Sequence, residues 1–165
     1  MENKMRLEIS ALSVNESFAR SAVAAFALSL SPSLTELADV KTAVSEGVTN
    51  CIVHAYKTQS TENKIVIECS TQEEETGGIL HIKIIDFGCG IEDVERAITP
   101  FYTTLQDEER SGMGFTIMQT FTDGFSVCSE WGKGTTLTMR KRLGQTPSFS
   151  SSTTRAIGEK ERAHA

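Results

Sequence analysis

Residues 34–55 read LTELADVKTAVSEGVTNCIVHA, and their apolar and polar pattern is the clearest structural signal in the chain. Its apolar residues recur every three or four positions, so at about 100° per residue they fall in one stripe. Glu46, Asn50 and His54 follow one another at i, i+4 steps on another face, with Glu46 roughly opposite the stripe. The pattern therefore predicts a helix with an apolar back toward the core and a polar front. The stripe consists of Leu37, Val40, Val44, Val48, Cys51 and Ala55.

The segments on either side of this helix predict further strands and helices. Ser33 caps the helix, with Glu36 three residues later as in a capping box. An earlier helix begins after a cap at Ser13 or Asn15 and ends before residue 31. Alternating apolar and polar residues predict strands, two of which form an antiparallel hairpin across a short acidic turn. The strands are expected at 5–12, 64–70, 79–86, 124–129 and 135–140, a helix at 115–121, and a helical turn at 92–98.

Length and composition are those of one globular domain. The chain has 165 residues, of which 39% are hydrophobic and 23% charged. We expect a domain at residues 1–143 and a disordered tail at 144–165, where the sequence is rich in serine and threonine and lacks apolar periodicity. The net charge of -6 argues against direct, nonspecific nucleic-acid binding. No apolar run is long enough for a membrane span and no secretory signal is recognisable, so we expect a cytoplasmic protein.

The polar front of the helix at 34–55 is the first candidate for chemistry. The amide oxygen of Asn50 can ligate Mg²⁺. The carboxylate of Glu46, one turn earlier, can accept a proton from a group that attacks a phosphate. A solvated helix face with no function is the alternative interpretation of this pair.

The segment Asp86-Phe87-Gly88-Cys89-Gly90-Ile91 is the second candidate, because it directly follows an apolar strand. An aspartate at a strand end can accept a hydrogen bond from an exocyclic amine, and the two glycines let backbone approach a ligand closely. A plain turn is the alternative. A dinucleotide-binding fingerprint is excluded, because Asp93 stands where that motif requires glycine.

Two further glycine motifs complete the set. Gly112-Met113-Gly114-Phe115 opens a helix, so its free N–H groups can face a phosphate, and Arg110 can reach the terminal phosphate. A flexible linker with an ordinary surface arginine is the alternative. The segment 132–135, GKGT, fails as a phosphate-binding Walker loop because glycine follows the lysine. It predicts a tight hairpin turn with Thr135 directed toward a ligand.

The order of these motifs resembles the N box and the three glycine boxes of the GHKL superfamily. Flanking segments resemble the anti-sigma-F factors of sporulating bacteria, and the resemblance covers residues 5 to about 142. Its carriers include residues 15–20 (NESFAR), 44–50 (VSEGVTN) and 109–116 (ERSGMGFT). The resemblance implies the Bergerat ATP-binding fold. That fold is α+β, a two-layer sandwich of a mixed, mainly antiparallel sheet covered by helices on one face.

The resemblance also implies two activities and a set of roles. The first activity is a serine kinase that phosphorylates an anti-anti-sigma factor, and the second is ATP-dependent binding of an RNA polymerase sigma factor of the sigma F type by a homodimer. Glu46 would be the general base, Arg110 would contact the terminal phosphate, and Arg20 would contact a partner. ATP with Mg²⁺, the metal on Asn50, would lie against Asn50, Asp86, Gly88, Gly90, Ile91, Thr104, Ser111, Gly112, Met113, Gly114, Phe115 and Thr135.

Some alternatives remain open. Ala55 stands where the family often has glycine, and Leu105-Gln106 replaces a usual basic residue. A switch kinase of the general-stress type has the same fold and chemistry with another sigma factor. A histidine-kinase catalytic domain is a further alternative, although no segment has room for the phosphoaccepting helical hairpin. A module that binds ATP without using it is disfavoured by Glu46, because binding alone needs no base.

Overall fold

The computed structural model describes residues 2–99 and 113–144. In chain order the strands and helices are β1 (Glu2–Ser10), α1 (Glu16–Ala27), α2 (Leu34–Asn50), β2 (Lys64–Glu73), β3 (Gly78–Asp86), α3 (Val94–Ala97), α4 (Gly114–Phe121), β4 (Gly124–Glu130) and β5 (Gly134–Leu143). Short 3-10 turns at Ser13–Asn15 and Leu28–Leu30 flank α1, and a π turn at Cys51–Ala55 extends α2. The predicted tail lies outside the described residues, apart from Gly144.

The strands form one five-stranded sheet in the order β1-β2-β3-β5-β4. The predicted hairpin is present, since Ile65 of β2 pairs with Asp86 of β3 and Glu73 pairs with Gly78. The second hairpin joins β4 to β5. The α+β class and the mainly antiparallel sheet are confirmed. The expectation of a mixed sheet is corrected, because all of the pairings among the described strands are antiparallel.

The core lies between one face of the sheet and the helices. Residues at every second position of β2 and β3 are buried, which is the period that puts them on one face. They meet the apolar stripe of α2, in which Val40, Val44 and Val48 are buried. Burying each such side chain contributes about 1.5–3 kcal/mol. The opposite face carries charged cross-strand pairs, such as Lys64 with Glu8 at 2.7 Å. The buried sheet residues include Ile65, Ile67, Cys69, Leu80, Ile82 and Ile84.

Helix α2 is capped at its N-terminus, and a buried glycine lies where it packs on the sheet. The capping box is confirmed: the Glu36 N–H donates to Ser33 Oγ at 3.2 Å, and the Ser33 N–H donates to Glu36 Oε2 at 2.7 Å. Gly47 is buried, and a Cβ there would lie 2.6 Å from Ile84 Cδ1. A glycine at this position therefore lets the helix backbone approach β3.

The start of α1 differs from the prediction. The side chains of Ser13 and Asn15 make no capping hydrogen bond, and Asn15 instead donates its amide to the Ser10 carbonyl at 2.9 Å. This bond ties the end of β1 to the turn before α1. Phe18, which the helix pattern includes, is 57% exposed.

Along residues 2–99 and 113–144, no helix combines the length and hydropathy that a membrane crossing requires.

Candidate functional site

The polar front of α2 meets the beginning of α4. A Cβ added to Gly114 would lie 3.1 Å from Asn50 Oδ1 and 3.3 Å from Glu46 Oε2. The carboxylate, the amide and the first turn of α4 are thus within a few ångströms of one another. The first N–H groups of a helix have no partners inside the helix, and they attract anions such as phosphate. We call this group of Glu46, Asn50 and Gly114 the glutamate end of the site.

Glu46 lies in surroundings that favour its neutral form. Its side chain is partly buried, and burial raises the pKa of its carboxyl group above the usual 4.5. The negative charge of Glu16 raises the same pKa further. A carboxylate with raised proton affinity is better suited to accept a proton than one in open solvent.

Asp86 is held at the other end of the site, at the end of β3. Its alternation with Ile82 and Ile84 places it on the core face, where it is buried. One oxygen, Oδ1, accepts the N–H of Gly88 at 3.0 Å and that of Thr135 at 3.2 Å. Burial raises the pKa of this carboxyl although both N–H donors favour the charged form. A carboxylate has lone pairs on both oxygens, so one fixed in this way can also accept from an amine.

The loop after Asp86 is pinned to α2. The N–H of Cys89 donates to the carbonyl of Ala55 at 2.7 Å, in the π turn that ends the helix. A Cβ on Gly88 would lie 2.0 Å from that same carbonyl oxygen. Gly88 is therefore needed for the contact between the loop and the helix. Irregular turns of this kind often occur at functional sites.

The same loop is pinned on its other side to the turn between β4 and β5. The N–H of Gly132 donates to the carbonyl of Cys89 at 2.7 Å. Gly90 has φ +73°, and a Cβ there would lie 2.2 Å from the Glu130 carbonyl oxygen. Gly88 and Gly90 thus allow close approach between parts of the protein's own backbone. Their contact with a nucleotide stays a prediction.

Thr135 and Ser129 form a hydrogen-bonded group beside Asp86, and none of the sequence motifs includes Ser129. Its hydroxyl accepts the N–H of Ile91 at 2.8 Å, donates to the Gly134 carbonyl at 3.0 Å, and lies 2.9 Å from Thr135 Oγ1. A signal was present, because Ser129 is the third inward position of β4 after Phe125 and Val127. We call Asp86, the 87–91 loop, Ser129 and Thr135 the aspartate end.

The GKGT segment forms the predicted hairpin turn. The N–H of Lys133 donates to the Glu130 carbonyl at 2.9 Å, and its ammonium pairs with the Glu130 side chain at 2.5 Å in an exposed position. Gly134 has φ +112°, and a Cβ there would lie 2.2 Å from the Asp86 carbonyl oxygen. The exclusion of a Walker loop agrees with this geometry, because Lys133 is committed to a surface ion pair.

Arg20 lies on α1, in contact with Glu16, an acidic residue to which no role was assigned from the sequence. Its guanidinium Nη1 is 3.4 Å from Glu16 Oε1. The same Glu16 oxygen accepts the hydroxyl of Ser45 at 2.5 Å. Ser45 directly precedes Glu46, so Arg20 is linked through two side chains to the glutamate end.

The remaining predicted residues are placed as follows. Met113 occupies the cap position of α4, and Phe115 packs on Phe125 with ring centroids 5.9 Å apart. The predicted residues Thr104, Arg110, Ser111 and Gly112 lie outside the described residues.

A magnesium ion can be tested against the residues present. Within residues 2–99 and 113–144, no three histidine, cysteine, aspartate or glutamate side chains are grouped so as to hold a metal ion. Magnesium that accompanies a nucleotide needs only one or two protein oxygens besides phosphate. The Asn50 oxygen beside the start of α4 fits that requirement, and Glu46 lies next to it.

Comparison with known proteins agrees with this architecture. Residues 9–141 match the family described as "Histidine kinase-like ATPase domain". The chain is 52% identical to the anti-sigma F factor of Thermoanaerobacter sp. (strain X514) over 142 residues, which is 86% of this chain and 95% of that protein. It is 51% identical to the anti-sigma F factor of Clostridium perfringens (strain SM101 / Type A) over 144 residues, 87% of this chain and 99% of that protein.

A solved structure has a similar fold. It is the crystal structure of the RsbU and RsbW domains of Rv1364c from Mycobacterium tuberculosis, with a TM-score of 0.61 and 17% identity. The match covers 87% of this chain and 33% of that one. At this level of identity the likeness concerns the fold alone.

Proposed function

The chain belongs to the histidine kinase-like ATPase domain family and, within it, to the anti-sigma F factors, and from this premise we propose its function. It binds ATP with Mg²⁺ and, in that state, holds and inhibits a sporulation RNA polymerase sigma factor of the sigma F type. It is also a protein serine kinase that phosphorylates and so inactivates the cognate anti-anti-sigma factor. It acts in the cytoplasm as a homodimer, without contacting nucleic acid itself.

The observation that carries the kinase proposal is the meeting of Glu46, Asn50 and the start of α4 at Gly114. Phosphoryl transfer requires mainly positioning and charge stabilisation. The free N–H groups of α4 suit the phosphates, and Asn50 suits the magnesium ion. Glu46 is close enough to both to face an attacking hydroxyl group.

The aspartate end suits the adenine. Glu46 and Ala55 are separated by roughly 14 Å of helix axis. That span leaves room for a nucleotide with its terminal phosphate at the glutamate end and its base at Asp86. The carboxyl of Asp86, fixed by the N–H groups of Gly88 and Thr135, accepts the exocyclic amine of adenine.

The proposed reaction is a direct transfer. The Glu46 carboxylate takes the proton of the substrate serine while the serine oxygen forms a bond to the γ-phosphorus. The bond from that phosphorus to the β,γ-bridging oxygen breaks, and ADP leaves. Magnesium, when bound, neutralises charge on the phosphate oxygens. Arg110 is proposed to contact the terminal phosphate.

Binding of protein partners is proposed on the surface of α1. Arg20 supplies a positive charge there, and two apolar side chains lie nearby in the sequence, Val14 at 78% and Phe18 at 57% exposed. Phe18 lies on α1 and Val14 in the 3-10 turn before it. Exposed apolar side chains are a common feature of protein interfaces. They support a protein-binding surface for α1, on which a dimer and a sigma factor can assemble.

The test is a pull-down from native cytoplasm, with the protein as bait in Mg-ATP and in Mg-ADP and the partners identified by mass spectrometry. We expect a sigma factor chiefly with ATP, and a small protein that becomes phosphorylated on serine. The Glu46→Gln variant is the matched control, because it should retain the sigma factor and leave the small protein unphosphorylated.

Other outcomes would count against the proposal. Equal recovery of sigma in both nucleotides contradicts the ATP dependence. A general-stress sigma factor favours the switch kinase of that type. A phosphohistidine product favours a histidine-kinase catalytic domain.

A further inference from the structure

Glu16 connects helices α1 and α2 at the glutamate end. Its Oε1 atom accepts the Ser45 hydroxyl at 2.5 Å and lies 3.4 Å from Nη1 of Arg20. The Glu16 side chain is only 19% exposed, whereas that of Arg20 is 41% exposed. One carboxylate oxygen thus holds both the arginine proposed to meet partners and the residue that precedes Glu46.

The contact of Glu16 with Ser45 and Arg20 involves charge as well as hydrogen-bond geometry. A hydrogen bond of this length from a hydroxyl is typical of a charged acceptor. The negative charge of Glu16 also acts on Glu46, where it contributes to the raised pKa of that carboxyl after burial. The groups that face one another here are therefore the guanidinium of Arg20 and the two carboxylates.

From this geometry we propose that Glu16 is a positioning residue that couples a partner docked at Arg20 to the turn of α2 that bears Glu46. The inference rests on the proposed kinase function. A partner with an acidic group opposite Arg20 competes with Glu16 for the guanidinium. Glu16 then keeps Ser45 as its main contact, so docking at Arg20 changes how α1 holds the turn of α2 that bears Glu46. Docking of the correct partner is in this way communicated to the base.

The test is a double-mutant cycle of Glu16→Gln and Arg20→Ala. The substrate is the anti-anti-sigma protein of the same genome, and kcat, KM and the Kd for ATP are measured for each variant. We expect Glu16→Gln to lower kcat by about threefold or more, with the Kd for ATP unchanged. The effects of the two changes should overlap, so that the double variant is at least about threefold more active than the product of the single effects predicts.

The matched control is Glu8→Gln. Glu8 is also a glutamate in an ion pair, with Lys64 at 2.7 Å, but it lies on the face of the sheet away from the helices. The substitution Glu8→Gln should leave kcat and KM unchanged. Glu16→Asp keeps the charge and should recover part of the lost kcat. Thermal unfolding of every variant separates a change in kcat from a loss of folded protein.

Several results would overturn the inference. If Glu16→Gln leaves kcat unchanged, as Glu8→Gln should, Glu16 does not couple a partner to Glu46. The same holds if the fall in kcat of the double variant equals the product of the two single effects. An equal loss of kcat in Glu16→Gln and Glu16→Asp, with lower thermal stability in both, shows a merely structural residue. If the unmodified protein transfers no phosphate to the substrate, the proposed function itself is wrong. That outcome is distinct from an active protein in which Glu16 is dispensable.

Discussion

The two ends of the site differ in how many of their polar side chains form hydrogen bonds within the protein. At the aspartate end, Asp86 accepts two backbone N–H groups, and Ser129 makes three further contacts around it. At the glutamate end, within residues 2–99 and 113–144, the side chains of Glu46 and Asn50 form no hydrogen bond to protein. One end is thus fixed before any ligand arrives. At the glutamate end the carboxylate and the amide have no such partner among the described residues, and we propose that they serve a ligand and a reaction.

The largest expected effect concerns the rate at the glutamate end. Glu46→Gln removes the proposed base but keeps its size, so kcat for phosphoryl transfer should fall about 10²- to 10⁴-fold. Because the nucleotide is held mainly elsewhere, the Kd for ATP should change little. Phosphate transfer from labelled ATP and calorimetric titration measure the two quantities. A variant with near-normal kcat would refute the role of Glu46.

The glycines of the two ends should respond differently to a methyl group. In Gly88→Ala the new Cβ lies 2.0 Å from the backbone oxygen of Ala55, which cannot move without distorting α2. We expect a loss of about 2–4 kcal/mol, a fall in Tm of roughly 10 °C. In Gly114→Ala the three nearest atoms to the new Cβ are the flexible ends of Asn50 and Glu46, at 3.1–3.3 Å.

For Gly114→Ala we therefore expect stability to change by less than about 1 kcal/mol, since alanine also favours helix. Displacement of Asn50 should still weaken ATP binding about tenfold, equivalent to one lost interaction of about 1.4 kcal/mol. Thermal unfolding and titration with ATP separate the two variants. If Gly114→Ala proved the less stable of the pair, the contrast between a fixed and an adaptable end would not hold.

Ser129→Ala tests the hydrogen bonds of the aspartate end. Loss of the hydroxyl leaves the N–H of Ile91 and the hydroxyl of Thr135 without this partner, and should cost about 1–2 kcal/mol. Ser126→Ala is the control, because Ser126 lies on the same strand with its side chain exposed on the other face. Denaturant unfolding compares the two. Equal midpoints would show that Ser129 does not hold the loop.

The sequence predicts the fold better than it predicts the contacts of the site. The helix at 34–50 and the strands follow from periodicity, because burial of one face requires regular spacing. The sequence pattern predicts that Gly88 lets backbone approach a ligand, whereas Gly88 contacts Ala55, which is 33 positions away in the chain. Glu16 and Ser45 are separated by 29 residues. Such pairings depend on how elements distant in the chain pack on one another, as α1 packs on α2, and a local pattern does not encode that packing.

The smallest expected effect is a pH dependence of stability that belongs to the glutamate end. The pKa of Glu46 is raised in the folded protein above 4.5, by burial and then by Glu16, so folding favours the protonated form. The stabilisation is complete below pH 4.5 and is lost as pH rises through the raised pKa. Glutamine does not titrate, so the Glu46→Gln variant does not lose stability in this way as the pH rises. Its Tm should exceed that of the unmodified protein by roughly 1–3 °C at neutral pH, since the side chain is partly solvated, and the difference should shrink toward pH 4.

Paired thermal scans from pH 4 to 8 measure this difference in Tm, with Glu8→Gln as the control. Glu8 has a pKa lowered by Lys64, so its substitution should give no gain at neutral pH. If the difference in Tm for Glu46→Gln stayed constant across this pH range, packing and not the charge of the carboxylate would account for the lower stability of the unmodified protein.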